Sequence, residues 1–100
     1  MFYITAPEQK EAENIASSLI EEQLAACVSL VPGIKSFFRW QGNIDTAQEW
    51  LLIGKTKPRL TDEIIAFVKS VHSYDVPEII FLPFNKGFIP YLNWIDENTK

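Results

Sequence analysis

Few side chains in this sequence have the chemistry to hold a metal or move a proton near neutral pH. His72 is the only histidine and Cys27 the only cysteine. A neutral imidazole is a common metal ligand, although a single histidine in a loop serves equally well as a capping residue. Cys27 lies between Ala26 and Val28 with no Lys, Arg or His beside it to lower its pKa. In such surroundings cysteine behaves as a small hydrophobe. One His and one Cys cannot close a tetrahedral site within one chain. A symmetric assembly changes that count, because His72 repeated around an axis, or His72 with a neighbour's carboxylate, would complete one. Glu78 follows Pro77 at the start of an apolar run, where a carboxylate is solvated, binds a cation in a cleft, or pairs with Lys55. Lys55 itself is an edge guard or a cleft residue that receives an anion. Thiolate and imidazole ligands favour copper, and added carboxylates favour zinc or harder ions. A cofactor held by these residues would be a divalent cation, copper or zinc, that is not required for folding.

Aromatic residues form the second group. Phe37, Phe38 and Trp40 lie close together around Arg39, with Trp50 and Trp94 further on. They suit a ligand-stacking surface or, more naturally, a subunit contact, because Trp and Tyr bury large areas and keep a polar handle. Arg39 is placed to stack on an aromatic ring across such a contact. With Tyr74 and Lys55, these residues are the candidates for a cleft or interface. Nothing in the sequence resembles a nucleophile–base pair, a glycine-rich phosphate loop, a CxxC or an HExxH motif. The reading is therefore of a protein that binds rather than catalyses.

The chain has 100 residues, enough for one domain spanning 1–100. A domain of this size covers only part of its own surface, yet 47% of the residues are hydrophobic and seven are Phe and three Trp. Large apolar patches are rarely left in water, so homo-oligomerisation is expected. The net charge of −4 and the absence of a basic run argue against nucleic acid as a partner. The first residues lack the basic and apolar regions of a signal peptide. No run approaches the roughly 18 apolar residues of a membrane span. With a single cysteine, these features point to a cytoplasmic protein without a membrane partner.

The elements that must position these residues follow from periodicity. Phe2 to Thr5 reads as a strand stopped by Ala6-Pro7. Ala12, Ile15, Ala16, Leu19 and Ile20 fall at helical spacing, with Pro7 near the first turn. Leu24 to Val31 reads as a buried strand, kinked at Pro32-Gly33 and resumed from Ile34 to Trp40. Gln41-Gly42-Asn43 is a turn, and Glu49 to Thr56 completes a long hairpin. Pro58 opens a second helix with Leu60, Ile64, Phe67, Val68 and Val71 on one face. After a loop from Ser73 to Pro77, Glu78 to Leu82 forms a fourth strand. Pro90 begins a short terminal helix with Phe88, Tyr91, Leu92 and Ile95 inside. The order βαββαβ plus a C-terminal helix predicts an α+β, ferredoxin-like fold with two helices on one face of a four-stranded antiparallel sheet. The hairpin is longer than the other strands, which leaves edges for a symmetric neighbour to cover.

Along this order the sequence resembles the CutA divalent-cation tolerance family. The resemblance rests on Thr5-Ala6-Pro7, Leu24-Ala25-Ala26-Cys27-Val28, Pro32-Gly33-Ile34, Trp40-Gln41-Gly42 and Lys55-Thr56. It continues through His72-Ser73-Tyr74, Pro77-Glu78-Ile79 and Tyr91-Leu92-Asn93-Trp94-Ile95, and so covers essentially the whole chain. It implies a homotrimer whose hairpins cross onto neighbouring subunits, similar to PII-type signalling trimers with ligand clefts between subunits. It also implies a role in tolerance to copper and other divalent ions, in a family whose members are not established as enzymes. Some members have a copper-associated cysteine on the first strand, where this chain has Ile4, and a His-His pair where it has Val71-His72. Three functions follow as expectations: a cation-tolerance trimer, a PII-like module binding a small anionic metabolite and reporting to a partner protein, or a purely structural or partner-tethering trimer.

Overall fold

The alternating and helical patterns become four strands and three α-helices in a computed structural model that describes residues 1–100. The order is β1 (Phe2–Ala6), α1 (Gln9–Glu21), β2 (Cys27–Trp40), β3 (Asn43–Lys55), a 3-10 turn (Pro58–Leu60), α2 (Thr61–Val71), β4 (Ile79–Phe81) and α3 (Ile89–Glu97). The sheet runs β2-β3-β1-β4, and every neighbouring pair is antiparallel. This is the split βαβ arrangement expected from the sequence, with β3 inserted between β1 and β2.

Register explains which face α1 and α2 cover. Phe2 pairs with Gly54, Ile4 with Leu52 and Ala6 with Trp50, so these side chains share one face by strand alternation. Ala12, Ile15, Ala16 and Leu19 of α1 and Ile64 and Val68 of α2 close over them, and Phe2, Ile4, Leu19, Leu52, Ile64 and Val68 are fully buried. Gly54 is required there. A Cβ at this position would lie 1.9 Å from the Phe2 ring. The opposite face carries Tyr3, Leu51, Ile53 and Ile80, which stay half-buried or exposed.

The hairpin runs well beyond the helices. Its pairing continues from Cys27↔Lys55 to Trp40↔Asn43, with one irregularity between Val31 and Ile34. The kink expected at Pro32-Gly33 is therefore a bulge, and Gly33 supplies its left-handed φ of +71°. Gln41 and Gly42 form the two-residue turn with φ of +50° and +82°, the mirror-image geometry whose twist matches the flanking strands.

Several boundaries differ from the sequence reading. β3 starts at Asn43, six residues before Glu49, because Asn43 to Gln48 pair with β2 through the backbone and show no apolar alternation. Pro7 lies outside α1, whose N-cap is Glu8. Pro58 opens a 3-10 turn, and α2 begins at Thr61. Strand β2 begins at Cys27; Leu24 and Ala25 are buried in the turn that follows α1. β4 keeps only Ile79–Phe81, so Glu78 falls in the preceding connection. No helix is long and apolar enough to cross a membrane.

Candidate functional site

Of the buried polar residues, Glu49, His72 and Thr5 come together where the hairpin leaves the helix-covered half of the sheet, while Thr56 and Thr99 bond to the Leu24 and Ile95 carbonyls elsewhere. Glu49 stands opposite Ile34, the first paired residue beyond the bulge. It is only 7% exposed. Its carboxylate accepts hydrogen bonds from Ser36 Oγ at 2.6 Å and from the Tyr74 hydroxyl at 2.9 Å. A buried carboxylate is costly unless its oxygens are satisfied, and here two hydroxyls satisfy one oxygen each. Burial, the hydrogen bond to Glu49, and the charges of Glu49 and Glu11 push the Tyr74 phenol up to about 12.

Tyr74 is in turn fixed by His72 at the end of α2. The Tyr74 backbone N–H donates to His72 Nδ1 at 3.0 Å, and the two rings lie 4.9 Å apart. His72 Nε2 is 2.7 Å from the Thr5 carbonyl of β1. An Nδ1 that accepts leaves the proton on Nε2, so the network assigns the neutral Nε2–H tautomer. Glu11 of α1 accepts from both the N–H and the hydroxyl of Ser73 at 3.0 Å, and its Oε2 lies 3.3 Å from His72 Nδ1. The chain Glu11–Ser73–His72–Tyr74–Glu49–Ser36 thus ties α1, the connection after α2, β3 and β2 together.

The expected metal ligands do not come together. His72 has both ring nitrogens engaged and its side chain is fully buried. Cys27 is half-buried, with its sulfur 4.0 Å from Ser29 Oγ. Glu78 is exposed in the connection. No three His, Cys, Asp or Glu residues form a group able to hold a metal within the chain. Ile4 is fully buried between Leu52 and Ile79. The donors present in one chain therefore do not fit a copper or zinc ion. Glu78 and Lys55 form no ion pair; those present join Lys57 to Asp96 and Lys100 to Glu63.

The aromatic candidates do not share one place: Tyr74 meets Glu49, Trp50 packs against the core, and the others lie on the hairpin and α3. Phe37 and Trp40 stand exposed on the hairpin, at 69% and 53%. There Lys35, rather than Arg39, lies over an aromatic ring, 5.4 Å from the centre of Phe37. Arg39 reaches the Gly42 carbonyl at 3.5 Å. Trp94 stacks on Tyr91 at 5.6 Å in α3. The Tyr91 phenol is raised by burial and by its neighbour Cys27. Sequence reading missed Glu49, Glu11 and Ser36. Glu49 carried a usable signal, as the acid that directly precedes the apolar run Trp50-Leu51-Leu52-Ile53. Glu11 and Ser36 look like ordinary solvated residues.

Comparison with known proteins gives the architecture a family. Residues 1–98 match the family described as CutA1 divalent ion tolerance protein. The chain belongs to the CutA1 family. It is similar to the divalent-cation tolerance protein CutA of Thermus thermophilus, with 47% identity over 96% of this chain and 93% of that protein. It is also similar to the chloroplastic CutA 1 of Oryza sativa, 45% identical over 98% of this chain and 55% of that protein. The chain therefore spans about half the length of this CutA relative and nearly all of the bacterial one. A solved structure of the Thermus thermophilus protein superposes with a TM-score of 0.97 at 45% identity, over 99% of this chain and 96% of that one. A CutA structure from Archaeoglobus fulgidus, described as periplasmic, gives 0.96 at 46% identity over 99% of this chain and 96% of that one.

Proposed function

We propose that this protein is a cytoplasmic homotrimer that supports divalent-cation tolerance by binding cations weakly in the clefts between subunits, without catalysing a reaction. The observation that carries this reading is the hairpin beyond the bulge. It exposes Phe37, Trp40 and Ile44 and pairs only with itself from Ile34 to Glu49, while Tyr3, Leu51, Ile53 and Ile80 line a sheet face that α1 and α2 leave open. Apolar surface on this scale marks an interaction site. The family's tolerance role supplies the cation. With His72 committed inside the chain, the donors left for a shared cleft are oxygens such as Glu78, which favour zinc or harder ions over copper. Light scattering at micromolar concentration is expected to give the mass of three chains, and calorimetry to give weak zinc heats that Glu78→Gln reduces. A folded protein with the mass of one chain overturns the shared cleft and every role placed in it.

A second reading is a PII-like module that binds a small anionic metabolite. It is favoured by Lys55, a half-buried cation with no carboxylate partner. A ligand that binds the native state raises its melting temperature. A thermal-shift series with nucleotides and di- or tricarboxylates, on the native protein and on Lys55→Ala, separates this reading from the first.

A further inference from the structure

We infer that His72 is a positioning residue rather than a metal ligand in this protein: it pins the connection after α2 so that Tyr74 can hold Glu49 at the root of the hairpin. This goes against the ligand role that the His72-Ser73-Tyr74 motif first suggests, and it stands apart from the cleft reading above.

Three observations carry it. The imidazole has no free lone pair, because Nδ1 accepts the Tyr74 N–H and Nε2 carries the proton bound to the Thr5 carbonyl. A metal needs a deprotonated, unshared nitrogen, so coordination would break a contact to β1 or to Tyr74. The side chain is also fully buried, and the acidic neighbour at 3.3 Å, Glu11, is already occupied by two donors from Ser73. Finally, the position is useful as it stands. The contact from His72 to Tyr74 spans two residues and the contact from Tyr74 to Glu49 spans 25, so one short local bond fixes the aim of a long-range one. The result is a mechanical link from the ends of β1 and α2 to the bulge where the hairpin departs.

The test uses the intact chain and three variants. Nitrogen-15 NMR of the native protein is expected to show an unprotonated Nδ1 and a protonated Nε2 on His72, neither moved by equimolar zinc. His72→Asn keeps an acceptor near the Nδ1 position and should retain the raised phenol titration near 12. His72→Phe removes the acceptor, and the same titration should fall toward the ordinary phenol value of ~10. Tyr74→Phe identifies the phenol by eliminating that step. Zinc heats should be equal in the native protein and His72→Asn. The inference is overturned if zinc shifts either imidazole nitrogen, if His72→Asn abolishes zinc binding, or if a folded His72→Phe keeps the native phenol titration. Should His72→Phe not fold, the tautomer and the zinc response of the native protein decide the question. Absence of any zinc heat counts against the cleft reading and leaves the imidazole and phenol readouts to decide this one.

Discussion

The same two strands, β2 and β3, build two regions that differ in almost everything except their hydrogen bonds. Below the bulge, Leu52 is fully buried and Val28, Leu30 and Trp50 pack against the core under α1 and α2. Above it, the backbone ladder continues without a break to Trp40↔Asn43, yet Phe37, Trp40 and Ile44 face water. Main-chain pairing is therefore enough to extend a hairpin, but it does not supply a second layer. An isolated two-stranded ribbon is marginal in water. The upper region has what a docking element needs, which is regular geometry and uncovered apolar side chains. The lower region has what a scaffold needs, which is interlocked packing. Glu49, Ser36 and Tyr74 sit at the joint between them.

The sharpest way to test the scaffold half is to fill the space that Phe2 occupies. Gly54→Val places branched carbons where even a Cβ would meet the Phe2 ring at 1.9 to 2.4 Å. Phe2 has nowhere to go, since it is fully buried and packs 5.7 Å from Phe81. Overpacking usually costs 1–3 kcal/mol, and a clash with a rigid ring belongs at or above the top of that range, about 3 kcal/mol or more. Denaturant unfolding should show the loss. A Gly54→Val protein as stable as the native one would mean that the core under α1 is loose, and the contrast between the two regions would collapse.

How much of this was legible in the sequence follows the same division. Alternation and helical spacing are signatures of one-sided burial, so the elements under the helices were readable from Ile4, Ala12, Ile15, Leu19, Ile64 and Val68. The outer half of β3 was not, because Asn43, Asp45, Thr46 and Gln48 are exposed on a ribbon with no covered face and leave no apolar period to read. The turn residues Gln41-Gly42 marked the hairpin tip correctly, since they report local backbone geometry. The site was the least legible part. Its contacts join residues as far apart as Glu11 and Ser73, or Glu49 and Tyr74, and spacing in sequence carries no trace of such meetings. His72 and Tyr74 drew attention through their types and motif. What each of them touches came only from the fold.

A smaller effect is expected at the joint. Tyr74→Phe removes one of the two donors that satisfy Glu49 and leaves Ser36 alone. Losing one partner of a buried carboxylate costs about 1–3 kcal/mol, and the half-exposed position of Tyr74 places the loss at the lower end. The pH dependence has a definite sign. The phenol holds its proton more tightly in the folded chain, at about 12 against ~10 for an ordinary phenol. The stability linked to that shift is fully present below the unfolded value and is lost as pH rises through the folded one. Native protein should therefore weaken between these two values, and Tyr74→Phe should weaken less over the same window. Equal alkaline slopes in the two proteins would detach Tyr74 from Glu49 and leave the joint held by the bulge alone.

The smallest effect belongs at the hairpin tip, and its sign is opposite. Gln41 occupies the left-handed region with φ of +50°, which costs a side chain without a short polar group more than it costs Asn. It precedes Gly42 in a two-residue turn, the setting in which Asn-Gly is the preferred pair. Gln41→Asn should relieve that strain without touching any packed residue, because the position is exposed and far from the core. The expected gain is about 0.5 kcal/mol, in line with other backbone-compatible turn substitutions, or a rise in melting temperature of roughly 2–4 °C for a domain of this size. Gln41→Val should lower it, since a β-branched residue is poorly tolerated at positive φ. Hydrogen exchange gives the finer readout. If the tip and the scaffold are separate cooperative units, Gln41→Asn should slow exchange in the amides from Ser36 to Ala47 and leave those of Ile4 and Leu52 unchanged. Slowing at Leu52 as well would mean that the ribbon and the core open together, and that the bulge transmits stability across the joint rather than dividing the sheet in two.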